Sequence, residues 1–256
     1  MSKRHERLGW TLKQLGLETS LSLLNTSLTS NPKSEYGIAW KKFDQPWNHS
    51  LVAILYFLLE DDENTRKHAL EFFNTANEFF FGSWRLRFTT PEKSVDATWW
   101  KRRFIWMQIF EAALLWGASI GEWQFLKKVG TFPEPDSCVS DGYREQDRDL
   151  YVALGAFLRE APRAELDTLL ERASAGPKKS CKLLASVIHS CQARDAALLQ
   201  KALIEFLKYY KKNEFPKEKI TKKISTEGTF FVHWAEKEGL AIAVPAEFED
   251  HIVRLK

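Results

Sequence analysis

The sequence predicts an all-α protein: irregular stacked helical hairpins, about ten helices, distantly like an α-solenoid. Three observations carry that expectation. Apolar residues recur every three or four positions along most of the chain, the period of a helix with one buried face. No segment makes a convincing strand with the period-two alternation of a half-buried sheet. The stretch Ser94–Lys128 holds five of the chain's ten tryptophans, Trp99, Trp100, Trp106, Trp116 and Trp123, and is apolar nearly all round.

Set at about 100° per residue, Trp99, Trp106, Phe110 and Ala113 of that stretch share one face. Ile105, Ile109 and Trp116 share a second, and Phe104 and Leu115 lie near a third. Lys101, Gln108 and Glu111 leave only a narrow polar stripe. A helix this apolar is a buried one, so the stretch is read as the Trp-rich central helix on which the others pack.

The remaining elements follow from local chemistry. Leu8, Leu12, Leu15, Leu21, Leu24 and Leu28 run at helical spacing through residues 4–29, and Asn31-Pro32 stops them, since a residue before proline avoids αR geometry. Asp44-Gln45-Pro46 predicts a break, followed by an apolar helix over Trp47–Asp61. Asp62 is read as the N-cap of a helix to Phe81, which Gly82 ends at positive φ. Ser119 and Glu122 have capping-box spacing, which predicts a long helix, a split at Gly117–Ser119, and a short partner to Val129.

Thr131–Gly142 is the clearest loop, rich in proline and acid with no apolar period. It predicts an N-terminal half, 1–130, and a C-terminal half, 143–256, of one continuous domain. In the second half, helices are expected over Tyr143–Glu160, Arg163–Ala175 after Pro162, Ser180–Ala193, Asp195–Lys212 and Ser225–Glu238. Gly239 stops the last of these. Leu240–Val244 is extended, and Pro245 opens a short final helix.

Composition narrows function. With 44% hydrophobic and 13% aromatic residues, the 256-residue chain has ample material for a core, so disorder is not expected for most of it. A balance of 37 basic and 34 acidic residues, net +3, does not suggest a general nucleic-acid binder. The three cysteines, Cys138, Cys181 and Cys191, are too few for a disulfide scaffold and fit a reducing compartment. No apolar core follows the N-terminal charges and no apolar run is long enough to span a bilayer. A cytoplasmic protein is expected.

No catalytic motif, P-loop, Rossmann fingerprint or metal-ligand spacing occurs, so no enzyme, cofactor or metal is expected. Cys181, His189 and Cys191 are close in sequence but diverge on a helix, by about 80° and 280° from the first. Arg102 and Arg103 sit among apolar neighbours. They offer a site for a small carboxylate or phosphate, or a structural pair with an acid such as Glu60 or Glu78. Lys208–Lys223 interleaves lysines with Tyr209, Tyr210 and Phe215, yet Glu214 and Glu218 dilute it, and it is read as a solvated helix end. The acids Glu134, Asp136, Asp141, Glu145, Asp147 and Asp149 form either a solvated face or an anionic docking surface for a basic protein partner.

The C-terminal segment carries one resemblance. Trp234-Ala235, Gly239-Leu240, Pro245 and the closing turn with Phe248 and Ile252 resemble the end of the immunity protein 49 family. Residues 51–84 are similar in style to that family's N-terminal helices. The immunity partners of PoNe nuclease toxins are similar as well. The resemblance implies an all-α antitoxin of a bacterial polymorphic toxin system. Such a protein binds the toxic domain of its cognate effector and blocks it without catalysis. The residues themselves equally fit a helical-repeat scaffold for another protein.

Overall fold

The structure, a computed structural model, describes residues 3–33, 35–82, 103–131, 145–217 and 219–255. It is all-helical: twelve α-helices and two 3-10 helices, with no strand among the described residues. The chain divides into two compact units between Ala113 and Leu114. That division falls inside a helix; of the stretch 131–142 expected as a loop, residues 132–142 lie outside the described residues.

The N-terminal unit begins with three helices, α1 (Arg4–Arg7), α2 (Leu12–Leu15) and α3 (Leu17–Thr29). The leucine period predicts one continuous helix here. Gly9 and Gly16 interrupt it at φ 75° and 62°, left-handed conformations open to glycine because it lacks the Cβ that would clash. Next come α4 (Glu35–Leu58) and α5 (Asp62–Phe81), and α4 packs on both α3 and α5.

Helix α4 is continuous over Pro46, where a break was expected. An internal proline lacks the donor for the carbonyl four residues back and crowds it, a cost of about 3 kcal/mol. Packing offsets it: Phe43 and Trp47 stack with centroids 6.3 Å apart on either side of the proline. Beyond it, Val52, Ala53 and Phe57 are fully buried.

The residue capping α5 is Asp61 rather than Asp62. Its carboxylate accepts from the Asn64 backbone N–H at 3.0 Å and from the Asn64 side chain at 2.8 Å. Gly82 ends α5 in extended geometry, φ −69°, not at positive φ.

Helix α1 closes the end of α4. The last carbonyls of a helix have no partner within it and carry the negative end of its dipole. Arg4 Nη1 donates to Phe57 O at 2.6 Å, and its guanidinium lies 3.7 Å over the Phe57 ring. Buried His5 places Nδ1 3.3 Å from Leu58 O, and Arg7 pairs with Glu60 at 3.0 Å. Replacing Arg4 with alanine is expected to destabilise this unit by about 1–2 kcal/mol, since both a carbonyl partner and a ring contact go. Urea unfolding reads this, and Arg4→Lys should recover only part. An unchanged midpoint for Arg4→Ala would show that α1 contributes nothing to the end of α4.

Helix α6 (Arg103–Ile120) crosses the division. From Met107 to Ala118 every side chain is buried except those of Gln108 and Glu111, the two described members of the expected polar stripe. Trp116, Ile109 and Leu114 are fully buried. The helix continues past Gly117 to Ile120, and Gly121 turns the chain at φ 80° into α7 (Trp123–Gly130). The expected capping box does not form. Ser119 Oγ instead donates back to Leu115 O at 2.7 Å, and Glu122 caps α7 without its side chain.

The C-terminal unit continues with α8 (Glu145–Leu158), α9 (Arg163–Ala175), α10 (Lys179–Ala193), α11 (Ala196–Asn213) and α12 (Thr226–Lys237). Neighbours pair as hairpins: α8 packs on α7, α9 and α10, and α10 also meets α9, α11 and α12. Asp195 caps α11 through the N–H groups of Ala197 and Leu198, and Ser225 caps α12 through Gly228. Pro162 is the N-cap of α9 rather than its first residue. The Pro245 helix is a 3-10 turn, Ala246–His251, with Phe248 buried.

Three helix ends share one pattern of backbone bonds. After α4, Asp61 N–H returns to Tyr56 O at 3.0 Å, and after α8, Ala161 N–H returns to Ala156 O at 2.9 Å. After α12, Leu240 N–H returns to Ala235 O at 2.9 Å. Such a return needs a left-handed residue just before it. Gly239 fills that position at φ 72°, but Glu60 and Glu160 fill the other two at φ 60° and 57°. Each glutamate is held by a cation, Arg7 for Glu60 and Lys127 for Glu160.

Candidate functional site

The described part of the C-terminal unit contains a cavity of about 400 Å³. It opens where the end of α8, the start of α9, the end of α10 and the face of α12 meet α7. Apolar side chains were driven to this junction by the helical period of each element. Trp123, Phe157 and Trp234 supply rings, and Leu126 and Leu166 supply aliphatic wall. Phe157 sits at the centre of a ring cluster, 5.4 Å from Trp234, 6.3 Å from Phe230 and 6.2 Å from Phe231. Trp123 lies 6.2 Å from Phe230, and Lys237 Nζ hangs 5.4 Å over the Trp123 ring.

Charge surrounds these rings. Lys127 meets Glu160 at 2.7 Å, and its hydrogen bond and charge hold the Glu160 carboxyl below its ordinary range. Glu238 receives two cations, Arg194 at 2.8 Å and Lys237 at 2.7 Å. Cys191 is buried, and burial raises its thiol well above the ordinary value, with the Glu238 carboxylate adding to the effect. The thiol is therefore protonated and is no nucleophile at neutral pH. The buried Oε1 of Gln192 has no hydrogen-bond partner among the described residues. This arrangement suits recognition of a ring beside a charged group.

Sequence reasoning did not find this cavity. Its rings come from α7, α8 and α12, far apart in the chain, and each reads locally as ordinary core. Only the Trp234-Ala235 part of the C-terminal resemblance touches it.

The acids expected to form a docking surface divide. Glu134, Asp136 and Asp141 lie outside the described residues, and so does the side chain of Glu145. Asp147 and Asp149 correct the expectation: both are buried, at 8% exposure each. Asp147 accepts from Lys178, and Asp149 accepts from Arg172 at 2.7 Å. A carboxylate turned inward needs such a partner, and these two tie α8 to α9 and to the turn before α10. Gln146 between them does the same, donating to Ala173 O and accepting from Lys178 N–H, each at 2.8 Å.

The other candidates fall as follows. Arg102 and the side chain of Arg103 lie outside the described residues, as does Cys138. Cys181 is buried against Asp147, and burial first, then that carboxylate, pushes its thiol up to about 11. His189 stands 3.8 Å from Asp167 at the surface. No group of three or more His, Cys, Asp or Glu among the described residues is placed to hold a metal. In Lys208–Lys223 several lysines are engaged with acids or carbonyls. Lys217 meets Glu214 at 2.7 Å, Lys211 meets Glu247 at 3.1 Å, and buried Lys223 donates to Phe215 O at 2.7 Å. Tyr210 is buried and donates to Lys222 O. Among the described residues no helix is long and apolar enough to cross a membrane.

Comparison of the chain with protein-family models, with curated proteins and with solved structures finds no match in any of the three.

Proposed function

We propose that the protein is an immunity protein, a non-catalytic cytoplasmic binder that neutralises a cognate bacterial toxin domain by occluding it. One observation supports this reading: the build of the segment on which the resemblance rests. Helix α12 presents Trp234-Ala235, Gly239 ends it in left-handed geometry, and residues 240–245 carry no regular structure. Pro245 then opens the closing turn, which buries Phe248 and Ile252. The tail is stitched back to α12, with Val253 N–H donating to Thr229 Oγ1 at 3.1 Å and His233 Nε2 2.7 Å from Val253 O. This is the order of elements that the resemblance implies.

Protein tagged and recovered from its native cell is expected to capture one partner. That partner is the product of the adjacent upstream gene, with a toxic C-terminal domain. Co-expression with that domain is expected to restore growth. Undiminished toxicity in the presence of folded, co-expressed protein overturns the reading. Charge reversal at Glu134, Asp136, Asp141 and Glu145 together is expected to weaken capture, because these acids remain as docking candidates once Asp147 and Asp149 are engaged internally.

A further inference from the structure

The cavity of the C-terminal unit has the size of a small-molecule site. Its roughly 400 Å³ falls within the 300–1,000 Å³ range of ligand clefts. A stable protein contact needs about 800 Å² from each partner. The walls carry three half-buried rings, Trp123, Phe157 and Trp234, and such rings bind another planar ring by offset or edge-on contact.

The charge at the rim is unequal. Lys127, Arg163, Arg194 and Lys237 border the cavity, against the two carboxylates Glu160 and Glu238. Both carboxylates are already committed, Glu160 to Lys127 and Glu238 to Arg194 and Lys237. Two cations therefore share Glu238. Arg163 reaches outward with its side chain 80% exposed, and its acidic neighbour Asp167 stands 3.6 Å away on the next helical turn. Positive charge is thus in surplus around an aromatic pocket, and a guanidinium fork suits a carboxylate.

We propose that this cavity binds a small planar aromatic carboxylate: its ring lies against Phe157 and Trp234, and its carboxylate meets the cationic rim at Arg163. The proposal is independent of toxin neutralisation and stands or falls without it.

Three probes share one ring and differ in charge: indole-3-acetate, indole-3-acetamide and tryptamine. Titrated into the full chain and followed by the indole N–H signals, the anion is expected to shift those of Trp123 and Trp234. It should bind about fivefold tighter than the neutral amide, the ratio for roughly 1 kcal/mol of partly exposed charge pairing. Tryptamine should be the weakest of the three. Arg163→Glu, at an exposed position that leaves the fold intact, is expected to remove the preference for the anion over the amide. Trp234→Leu is expected to weaken all three probes about tenfold, with its urea midpoint checked to show that the variant folds. Tryptamine binding as well as the anion overturns the proposal. So does an anion preference that survives Arg163→Glu, and so does the absence of binding by indole-3-acetate at 10 mM probe, on the order of the weakest affinity expected of a small fragment.

Discussion

Replacing Gly130 with alanine is expected to destabilise the C-terminal unit by about 2 kcal/mol, although alanine is the better helix former. A Cβ on Gly130 would lie 2.7 Å from Gly155 O, 2.8 Å from Leu158 Cβ and 3.0 Å from Arg159 N. These atoms belong to the backbone and first side-chain carbon of the α8 segment and cannot rotate away. Helix α7 would have to withdraw from α8, and such overpacking costs about 1–3 kcal/mol. Alanine at the facing glycine should do the opposite. A Cβ on Gly155 would meet only Gly130 O, at 3.5 Å, an ordinary contact, so Gly155→Ala should stabilise by about 0.5–1 kcal/mol through the unfolded chain's lost freedom. Urea unfolding of both variants, followed by a probe in this unit, reads the opposite signs. Equal effects would mean that the α7–α8 contact is not set by Gly130.

The second large effect is on pH dependence. His49 is 4% exposed, with Nδ1 3.2 Å from His68 Nδ1, and His68 stacks on Tyr56 at 5.6 Å. One neutral ring donates and the other accepts; a proton on both would break the pair. Burial first, then the neighbouring His68, lowers His49 to about 4, against a partial upward pull from Glu71. Burial and Lys67 lower His68 as well, again against Glu71. The folded state therefore refuses a proton that the unfolded chain accepts from about pH 6.5 downward. Stability of the N-terminal unit is full above that pH and is lost as pH falls toward 4, by about 2–3 kcal/mol, after which this group adds no further slope. His49→Asn removes that titration. The difference in unfolding free energy between wild type and variant should then narrow on acidification from pH 7 to 4.5. A difference that stays constant across this range would show that His49 titrates normally. Taking the difference removes the contribution of His251, which burial also lowers in the other unit.

Both effects turn on features of very different visibility in the sequence. Helical periodicity made the elements legible: α9 and the Asp195 cap of α11 stand where their punctuation placed them. The reason is physical, since capping and the 3.6-residue period are local and act before any tertiary contact forms. The polar stripe of α6 is of the same kind, because Gln108 and Glu111 interrupt an otherwise apolar surface.

Local signals failed where distant packing outweighed them. Pro46 reads as a break, yet the Phe43–Trp47 stack and the buried face beyond it keep α4 continuous. Leucines at helical spacing read as one helix, yet Gly9 and Gly16 turn the chain. Asp147 and Asp149 read as a solvated acidic face, because a sequence shows a charge but not the Lys178 and Arg172 that meet it across a hairpin.

What the sequence by itself determined is the helical class, most helix ends and the apolar identity of α6, all consequences of nearest-neighbour chemistry. Tertiary structure alone decided which aromatics became walls and which became core. Trp123, Phe157 and Trp234 converge on one cavity while Trp116 is sealed from solvent. Convergence depends on how α7, α8 and α12 cross, and crossing is set by the close approach that Gly130 permits and by ion pairs between helices, neither of which has a local signature.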